Sequence, residues 1–177
     1  SSMDSNIFIT KPRLTYLILS EQAMNGETNT KEMWICAHNV RSAYNIGAII
    51  RSSARMGIEG FIASGYTPYP LIEGDKRLPH ISKRATKQIS KTALDTIDKI
   101  QIQHFKDISS AINTFRSRGF NIYALEQAKD SKDISKFKPK WPCLVIVGSE
   151  PRGLSKATLG KVDKIIEIPS QGSLNVA

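Results

Sequence analysis

Short apolar runs alternate with helical-period segments along most of the sequence, and this alternation constrains the fold more than any other feature. Six runs have the length and composition of strands, and apolar residues three and four positions apart lie between several of them. Strands joined by crossover helices assemble into a mainly parallel sheet with helices on its faces. The predicted strands cover residues 33–37, 60–63, 100–105, 121–125, 144–147 and 164–168.

Three helices are predicted between these strands. One covers residues 45–56 with Asn45 as a candidate N-cap, a second covers 107–118 with Asp107 as its N-cap, and a third runs from residue 155 to about 162. Residues 65–79 and 129–142 are rich in proline and polar residues and are predicted to be loops. No repeat or second hydrophobic block is present, so we expect one α/β domain over residues 31–177 behind a lead-in of residues 1–30.

Positive charge is concentrated in one part of the chain. The 177 residues carry a formal charge of +9, and residues 76–106 contain eight basic residues against two acidic ones. A focused positive field attracts polyanions, but a solvated lysine-rich face has the same composition. The charge pattern alone leaves both interpretations open.

The two cysteines lie inside apolar runs, which predicts buried free thiols of a reducing compartment. No run reaches the ~18 apolar residues of a membrane span, and the first residues lack a signal pattern. The histidines and cysteines have no metal-ligand spacing. These features predict a cytoplasmic protein without a membrane partner or a metal.

A strand, a glycine turn and a helix start follow one another in residues 144–155. Gly148 and Gly153 bracket four residues as in a P-loop, but Leu154 stands where the phosphate-binding lysine would be needed. This excludes ATP or GTP hydrolysis, and no strand opens into a dinucleotide-binding glycine motif. A ligand site and a merely tight strand-to-helix turn remain open alternatives.

Arg51 lies among apolar residues of the helix predicted over residues 45–56. A guanidinium in such a place either extends to solvent or points into a pocket, where it needs an anion such as a phosphodiester. A third polar segment, residues 166–177, is a strand broken by proline and followed by small polar residues.

Together these three segments resemble the SpoU (TrmH) family of RNA 2′-O-ribose methyltransferases, within the SPOUT superfamily. The matching motifs are Asn45-x-Gly47-Ala48-x-x-Arg51, Gly148-x-Glu150-x-x-Gly153-Leu154, and Ile168-Pro169 followed by Ser173-Leu174-Asn175. The resemblance covers roughly residues 31–177. It implies a catalytic domain with a C-terminal trefoil knot, a homodimer, S-adenosylmethionine as cofactor, and a tRNA or rRNA substrate.

The resemblance also implies roles for individual residues. Cofactor binding falls to Leu125, Glu126, Gly148, Ser149, Gly153, Ile168 and Leu174. Catalysis falls to Arg51, with Asn45, Glu150, Ser173 and Asn175 organising the site. We expect Arg51 to orient the RNA phosphate and stabilise the developing alkoxide electrostatically. Candidate RNA contacts are Arg41, Lys83, Arg84 and Lys87. By residue type alone, Tyr44, Tyr66 and Tyr69 are candidates for stacking on unpaired bases, but simple loop packing is the favoured interpretation for Tyr66 and Tyr69.

Two departures from the family pattern lie near the C-terminus. The third motif is a few residues shorter than usual, and the sequence stops at Ala177, before the helix with which the family closes its knot. Either this sequence omits residues in that region, or the cofactor loop and the knot are incomplete in this chain. Two other functions stay open: an RNA-binding module that no longer transfers methyl groups, and an RNA base methyltransferase of the same fold.

Overall fold

One parallel sheet with helices on both faces makes up residues 31–149 and 152–169, which the computed structural model describes. Its strands are β1 Met33–His38, β2 Gly60–Ser64, β3 Gln101–Phe105, β4 Asn121–Leu125, β5 Lys132–Asp133, β6 Cys143–Val147 and β7 Lys164–Glu167. The helices are α1 Ala43–Arg55, α2 Pro79–Ala93, α3 Ile108–Ser117 and α4 Lys156–Leu159, with single 3₁₀ turns at Ile97–Lys99 and Ile134–Lys136. None of the helices described is long and apolar enough to cross a bilayer. The predicted lead-in, residues 1–30, and residues 170–177, on which the predicted knot depends, lie outside the described part of the chain.

The strand order is β3-β2-β1-β6-β4-β7-β5, and every pair is parallel. All six predicted strands are present within one residue at each end. From β1 the chain builds outward to β3, then crosses to the other side of β1 to place β4 and β6. The order therefore reverses between β1 and β6, and open α/β sheets bind ligands beyond the carboxyl ends of strands at such a point.

Side chains of β1 alternate between the two faces of the sheet. Met33, Ile35 and Ala37 join the core on the face covered by α1 and α2, whereas Trp34 and Cys36 join the core under α3. Both cores are apolar because a parallel sheet with helices on both sides is buried on both faces. The result is a three-layer α/β/α arrangement.

Helix α2 is the main element that the sequence analysis missed. Its buried residues are Ser82, Ile89 and Ala93, so the face toward α1 is small and only weakly apolar. Pro79 occupies the first turn, where proline lacks only an amide that has no helical partner. The basic segment of the sequence is therefore largely a helix.

Three predicted boundaries were wrong. The N-cap of α1 is Ser42 instead of Asn45, because the Ser42 hydroxyl accepts the amide of Asn45 at 3.2 Å. The third predicted helix is only α4, with Ser155 as its N-cap. The predicted loop over residues 129–142 contains β5 and one 3₁₀ turn.

Both cysteines are fully buried and free, as predicted. Burial raises the pKa of the Cys143 thiol to about 12 and raises the pKa of Cys36 as well. Neither thiol is therefore a nucleophile near neutral pH, because the thiolate is the reactive form.

Candidate active site

The predicted cofactor residues within the described chain follow three neighbouring strands. Leu125 and Glu126 lie at the end of β4, Gly148 and Ser149 follow β6, and Ile168 follows β7. The sheet order β6-β4-β7 puts these ends side by side at one edge. The structure thus brings together residues that are up to 43 positions apart in the numbering, from 125 to 168.

Two glycines shape the turn after β6. The amide of Gly153 donates to the carbonyl of Ser149 at 2.6 Å, and these residues form an antiparallel bridge. A Cβ on Gly148 would lie 2.5 Å from the carbonyl carbon of Gly153, and Gly153 itself has φ +64°. A side chain at either position would disturb this turn, so both positions require glycine.

Glu126 ties the strand ends together. One carboxylate oxygen accepts the amide of Leu154 at 2.9 Å, and the other accepts the amide of Gln127 at 3.1 Å. The backbone amide of Glu126 donates to the carbonyl of Ile166 at 3.0 Å. Glu126 thus connects β4 to the glycine turn and to β7.

Apolar side chains border the same edge. Leu125 and Ile168 are half-buried and pack against the core on the α1 face, and Ser149, after β6, is also half-buried. Such walls, together with main-chain polar groups, suit a flat heteroaromatic ring with a few hydrogen-bonding atoms. Glu150, Ser173, Leu174 and Asn175, which were predicted to complete the site, lie outside the described residues.

The first turn of α1 presents Asn45 near the reversal point of the sheet. The hydroxyl of Ser42 donates to Oδ1 of Asn45 at 2.9 Å and accepts its backbone amide. This pair holds the Asn45 side chain in one rotamer. The capping residue therefore sets the position of the Asn45 side chain.

Arg51 lies six residues further along α1, about 9 Å along the helix axis at 1.5 Å per residue. Its side chain is half-buried, and its Nε is buried without a hydrogen-bond partner among the residues that the structure describes. A buried N–H of a cation needs an acceptor, which an anionic ligand or a carboxylate can supply. This favours the pocket-facing alternative from the sequence over simple extension to solvent.

The loop after β1 is anchored by histidine and asparagine. Nδ1 of His38 is 3.1 Å from the Ser64 hydroxyl, and Nε2 is 3.1 Å from the Asn39 amide nitrogen. Burial lowers the pKa of His38, although the nearby Asp107 charge opposes this. His38 is therefore a hydrogen-bonded structural residue, and among the described residues no cluster of three or more His, Cys, Asp or Glu could hold a metal.

The predicted RNA-contact residues lie on two elements. Arg41, in the loop after β1, is exposed and its guanidinium carbon is 5.2 Å from the centre of the Tyr66 ring. Lys83, Arg84 and Lys87 are exposed on α2. Helices α1 and α2 contain no acidic residue, so their basic side chains meet no carboxylate from their own elements.

Arg77, one of the basic residues between positions 76 and 106, has a structural role. Arg77 donates to both carboxylate oxygens of Asp75 and to the carbonyls of Tyr69 and Pro70 at 2.9 and 3.0 Å. The pairing lowers the pKa of Asp75 to about 2, mainly through the Arg77 hydrogen bonds. The number of basic residues therefore overstates the positive charge available to a polyanion. The ion pair could have been predicted from the sequence, because Asp75 lies two positions before Arg77.

Comparison with known proteins is consistent with this geometry. The sequence profile of the SpoU rRNA Methylase family matches residues 32–177. The chain belongs to the SpoU family. A tRNA (guanosine(18)-2′-O)-methyltransferase of Aquifex aeolicus is 29% identical to it over 171 residues, which are 93% of this chain and 74% of that relative. A Staphylococcus saprophyticus protein named for the TrmH family of tRNA/rRNA methyltransferases is 26% identical over 132 residues, which are 75% of this chain and 47% of that protein.

Solved structures show the SpoU fold directly. An AdoMet-bound rRNA methyltransferase from Sinorhizobium meliloti has a TM-score of 0.62 at 22% identity, over 82% of this chain and 50% of that one. The AdoMet complex of the SpoU methyltransferase AviRb from Streptomyces viridochromogenes has a TM-score of 0.61 at 20% identity, over 85% of this chain and 55% of that one. This chain therefore spans about half the length of several SpoU relatives. The mainly parallel α/β sheet predicted from the alternation of strands and helices is confirmed.

Proposed function

We propose that this protein transfers a methyl group from S-adenosylmethionine to a ribose 2′-hydroxyl of structured RNA, either tRNA or rRNA. The observation that carries the proposal is that Glu126, at the end of β4, hydrogen-bonds to Leu154 after β6 and to Ile166 of β7, so that the three strand ends lie together at one edge. These are the strand ends to which the family motifs assign the cofactor. The 2′-O specificity is supported by the name of the Aquifex relative, which matches 93% of this chain.

The residues at this edge fit S-adenosylmethionine. Half-buried Leu125 and Ile168 offer apolar surface for the adenine. A side chain at Gly148 or Gly153 would collide with its neighbours, so the two glycines let the turn after β6 lie close to the end of β4. Glu126 is occupied by the amides of Leu154 and Gln127, so it would act by fixing the loops. When bound, S-adenosylmethionine supplies an electrophilic methyl group on a sulfonium, so the reaction requires no metal.

Arg51 is the residue that we assign to the RNA side of the reaction. Its guanidinium would hold the phosphate next to the target nucleotide and so orient the 2′-hydroxyl. The same charge would stabilise the negative charge that develops on the 2′-oxygen while the proton passes to water. Asn45, held by Ser42, would fix the approach of the nucleotide at the edge.

The proposal also covers the partners and the location of the protein. We infer a homodimer in the cytoplasm, as the family resemblance and the buried free cysteines favour. The RNA would lie across the exposed basic residues of α2 and Arg41, because the phosphate backbone contributes much of the affinity in such complexes. Light scattering would measure the oligomeric state.

Three measurements on the full-length protein test the reaction. Titration calorimetry with S-adenosylmethionine should show binding, and tritium from the labelled methyl group should enter tRNA or rRNA. Mass spectrometry of the digested product should find a 2′-O-methylated nucleoside. A methylated base would contradict the ribose assignment, and an absence of cofactor binding would favour an RNA-binding module without transfer.

The role of Arg51 is tested by a pair of arginine variants on one helix. Arg51→Ala should lower the methyl-transfer rate by about a hundredfold or more, as expected for loss of one electrostatic contact to the transition state. Arg55→Ala, four residues later and exposed, is the matched control and should keep nearly full activity. Both should bind S-adenosylmethionine like the wild type, and equal rates for the two variants would exclude the proposed role.

A further inference from the structure

An exposed tyrosine stands beside an exposed arginine at the carboxyl ends of β1 and β2. The Tyr66 residue is 53% exposed, and the Arg41 guanidinium carbon lies 5.2 Å from the centre of its ring. Strands β1 and β2 are parallel neighbours, so both residues lie on the edge that carries the candidate active site. An aromatic ring and a cation in this arrangement offer a flat stacking surface with a positive charge next to it.

The backbone that carries Tyr66 is firmly held. Its amide donates to Oδ1 of Asn39 at 3.2 Å, and Asn39 itself has φ +56°. The next residue, Thr67, is buried and its hydroxyl donates to the carbonyl of Ala37 at 2.9 Å and accepts the amide of Val40 at 3.0 Å. The ring is thus exposed on a fixed support, which lowers the entropy lost when a ligand binds.

The neighbouring Tyr69 packs inside the protein, as the loop-packing alternative from the sequence predicted. One face of its ring is covered by the Arg77 guanidinium at 3.5 Å, and the ring stacks on His104 with centroids 4.2 Å apart. Both faces are therefore occupied inside the protein. Of the two tyrosines in this loop, Tyr66 is the one with a ring surface left for a ligand.

The surroundings of Tyr66 favour a nucleic acid as the ligand. The loop that begins with it is joined to α2 where the amide of Leu71 donates to the Thr86 hydroxyl at 2.7 Å. Thr86 lies in the turn between Arg84 and Lys87, which are exposed basic residues. A phosphate backbone bound along α2 would therefore pass close to the loop that presents Tyr66.

We propose that Arg41 and Tyr66 form a stacking site for an unpaired base of the RNA substrate. This rests on the proposed function, because it needs an RNA that contains a single-stranded loop or bulge. The base stacks on the exposed face of the Tyr66 ring, while the Arg41 guanidinium, which lies over the ring, contacts the phosphate of that nucleotide. Stacking tolerates any base, so the site selects unpaired structure and leaves sequence to other contacts.

The test uses two RNA probes with the full-length protein. One is a hairpin with 2-aminopurine in its loop, and the other is a fully paired duplex with the same stem. We expect the wild type to quench the 2-aminopurine fluorescence. Tyr66→Ala should weaken hairpin binding roughly five- to hundredfold and abolish the quenching, while duplex affinity stays within about twofold.

Conservative variants of Tyr66 distinguish the effect of an aromatic ring from the effect of apolar side-chain volume. Tyr66→Phe keeps the ring and should bind and quench like the wild type, whereas Tyr66→Leu keeps apolar volume without a π face and should behave like Tyr66→Ala. Arg41→Lys should keep most of the duplex affinity but lose part of the hairpin preference, because an ammonium cannot stack as a planar guanidinium does. Wild-type hairpin binding by Tyr66→Leu, or equal losses on both probes for Tyr66→Ala, would overturn the proposal.

Failure of this site and failure of the proposed function give different results. If the wild type methylates RNA but the Tyr66 variants bind the hairpin normally, only the stacking site is wrong. If the wild type neither binds S-adenosylmethionine nor transfers methyl groups, yet hairpin preference depends on Tyr66, only the proposed reaction is wrong.

Discussion

Single residues at the candidate active site act mainly on the backbone of its loops. Gly153 has φ +64° and lies directly against the Glu126 carboxylate, which accepts the amide of the following residue, Leu154. The turn and the carboxylate therefore depend on each other. A side chain at position 153 would both strain the backbone and displace the group that joins the glycine turn to β4.

Gly153→Ala should consequently lower stability more than a glycine substitution with backbone strain alone. Gly74→Ala is the matched control, because Gly74 has φ +71° and a Cβ at this position would meet nothing within 4 Å. Each variant should lose about 1 kcal/mol from its backbone conformation. Gly153→Ala should lose about 1 kcal/mol more with the Glu126 hydrogen bond, and also lose affinity for S-adenosylmethionine. Urea denaturation and calorimetry measure both effects, and equal losses in the two variants would contradict the coupling to Glu126.

At the scale of elements, the strands were predictable and one helix was not. The apolar runs that form β1, β4 and β6 are buried on both faces, so each is continuous and easily recognised. Helix α2 escaped notice because its inward face relies on Ser82 and Ala93 beside a single isoleucine, and it ends at Leu94 with φ +56° instead of at a glycine. Small residues pack well against a neighbouring helix but leave no apolar periodicity.

Part of the candidate site could also be predicted from the sequence, and part could not. Its cofactor edge could be predicted, because the carboxyl ends of parallel strands share one edge whatever the details of their loops. The pairing of Arg41 with Tyr66 could not, since it depends on Asn39 in a left-handed conformation and on Thr67 bonding to Val40, 27 positions away. Contacts of this kind depend on loop geometry, which has no periodic pattern in the sequence.

The packing of α1 against α2 allows a direct test at this scale. A Cβ on Gly47 would overlap the Thr92 hydroxyl and the backbone carbonyl of Ile89, and would lie 2.9 Å from the amide of Ala93. The backbone of α2 cannot move away easily, so Gly47→Ala should cost roughly 1–3 kcal/mol despite the higher helix propensity of alanine.

A double-mutant cycle isolates the cause of that loss. Thr92→Ala removes the hydroxyl that donates to the Tyr44 carbonyl at 2.8 Å and also makes room for the new methyl group. The double variant should therefore be less destabilised than the sum of the two single variants, as measured by urea denaturation. Strict additivity would mean that Gly47 does not set the distance between the two helices at Thr92.

For the whole molecule, the distribution of charge matters more than its total. The formal charge is +9, yet Arg77 is paired with Asp75 and Lys99 with Asp95 at 2.8 Å. In contrast, neither α2, which carries several basic residues, nor the neighbouring α1 contains an acidic residue. We therefore expect the α1 and α2 side of the molecule, more than its net charge, to determine how it binds RNA.

Charge reversal on two parts of the surface separates these effects. Changing Lys83, Arg84 and Lys87 to Glu should weaken binding to bulk tRNA. It should also reduce the slope of log affinity against log salt by up to about 3, because fewer phosphate contacts form and fewer counterions are released on binding. Changing Lys129, Lys136 and Lys138 to Glu alters the net charge equally at other exposed positions, and it should reduce affinity and slope much less. Affinity for S-adenosylmethionine should be nearly unchanged in both variants. Equal slopes in the two variants would mean that RNA responds to total charge alone and that α2 is only a solvated face.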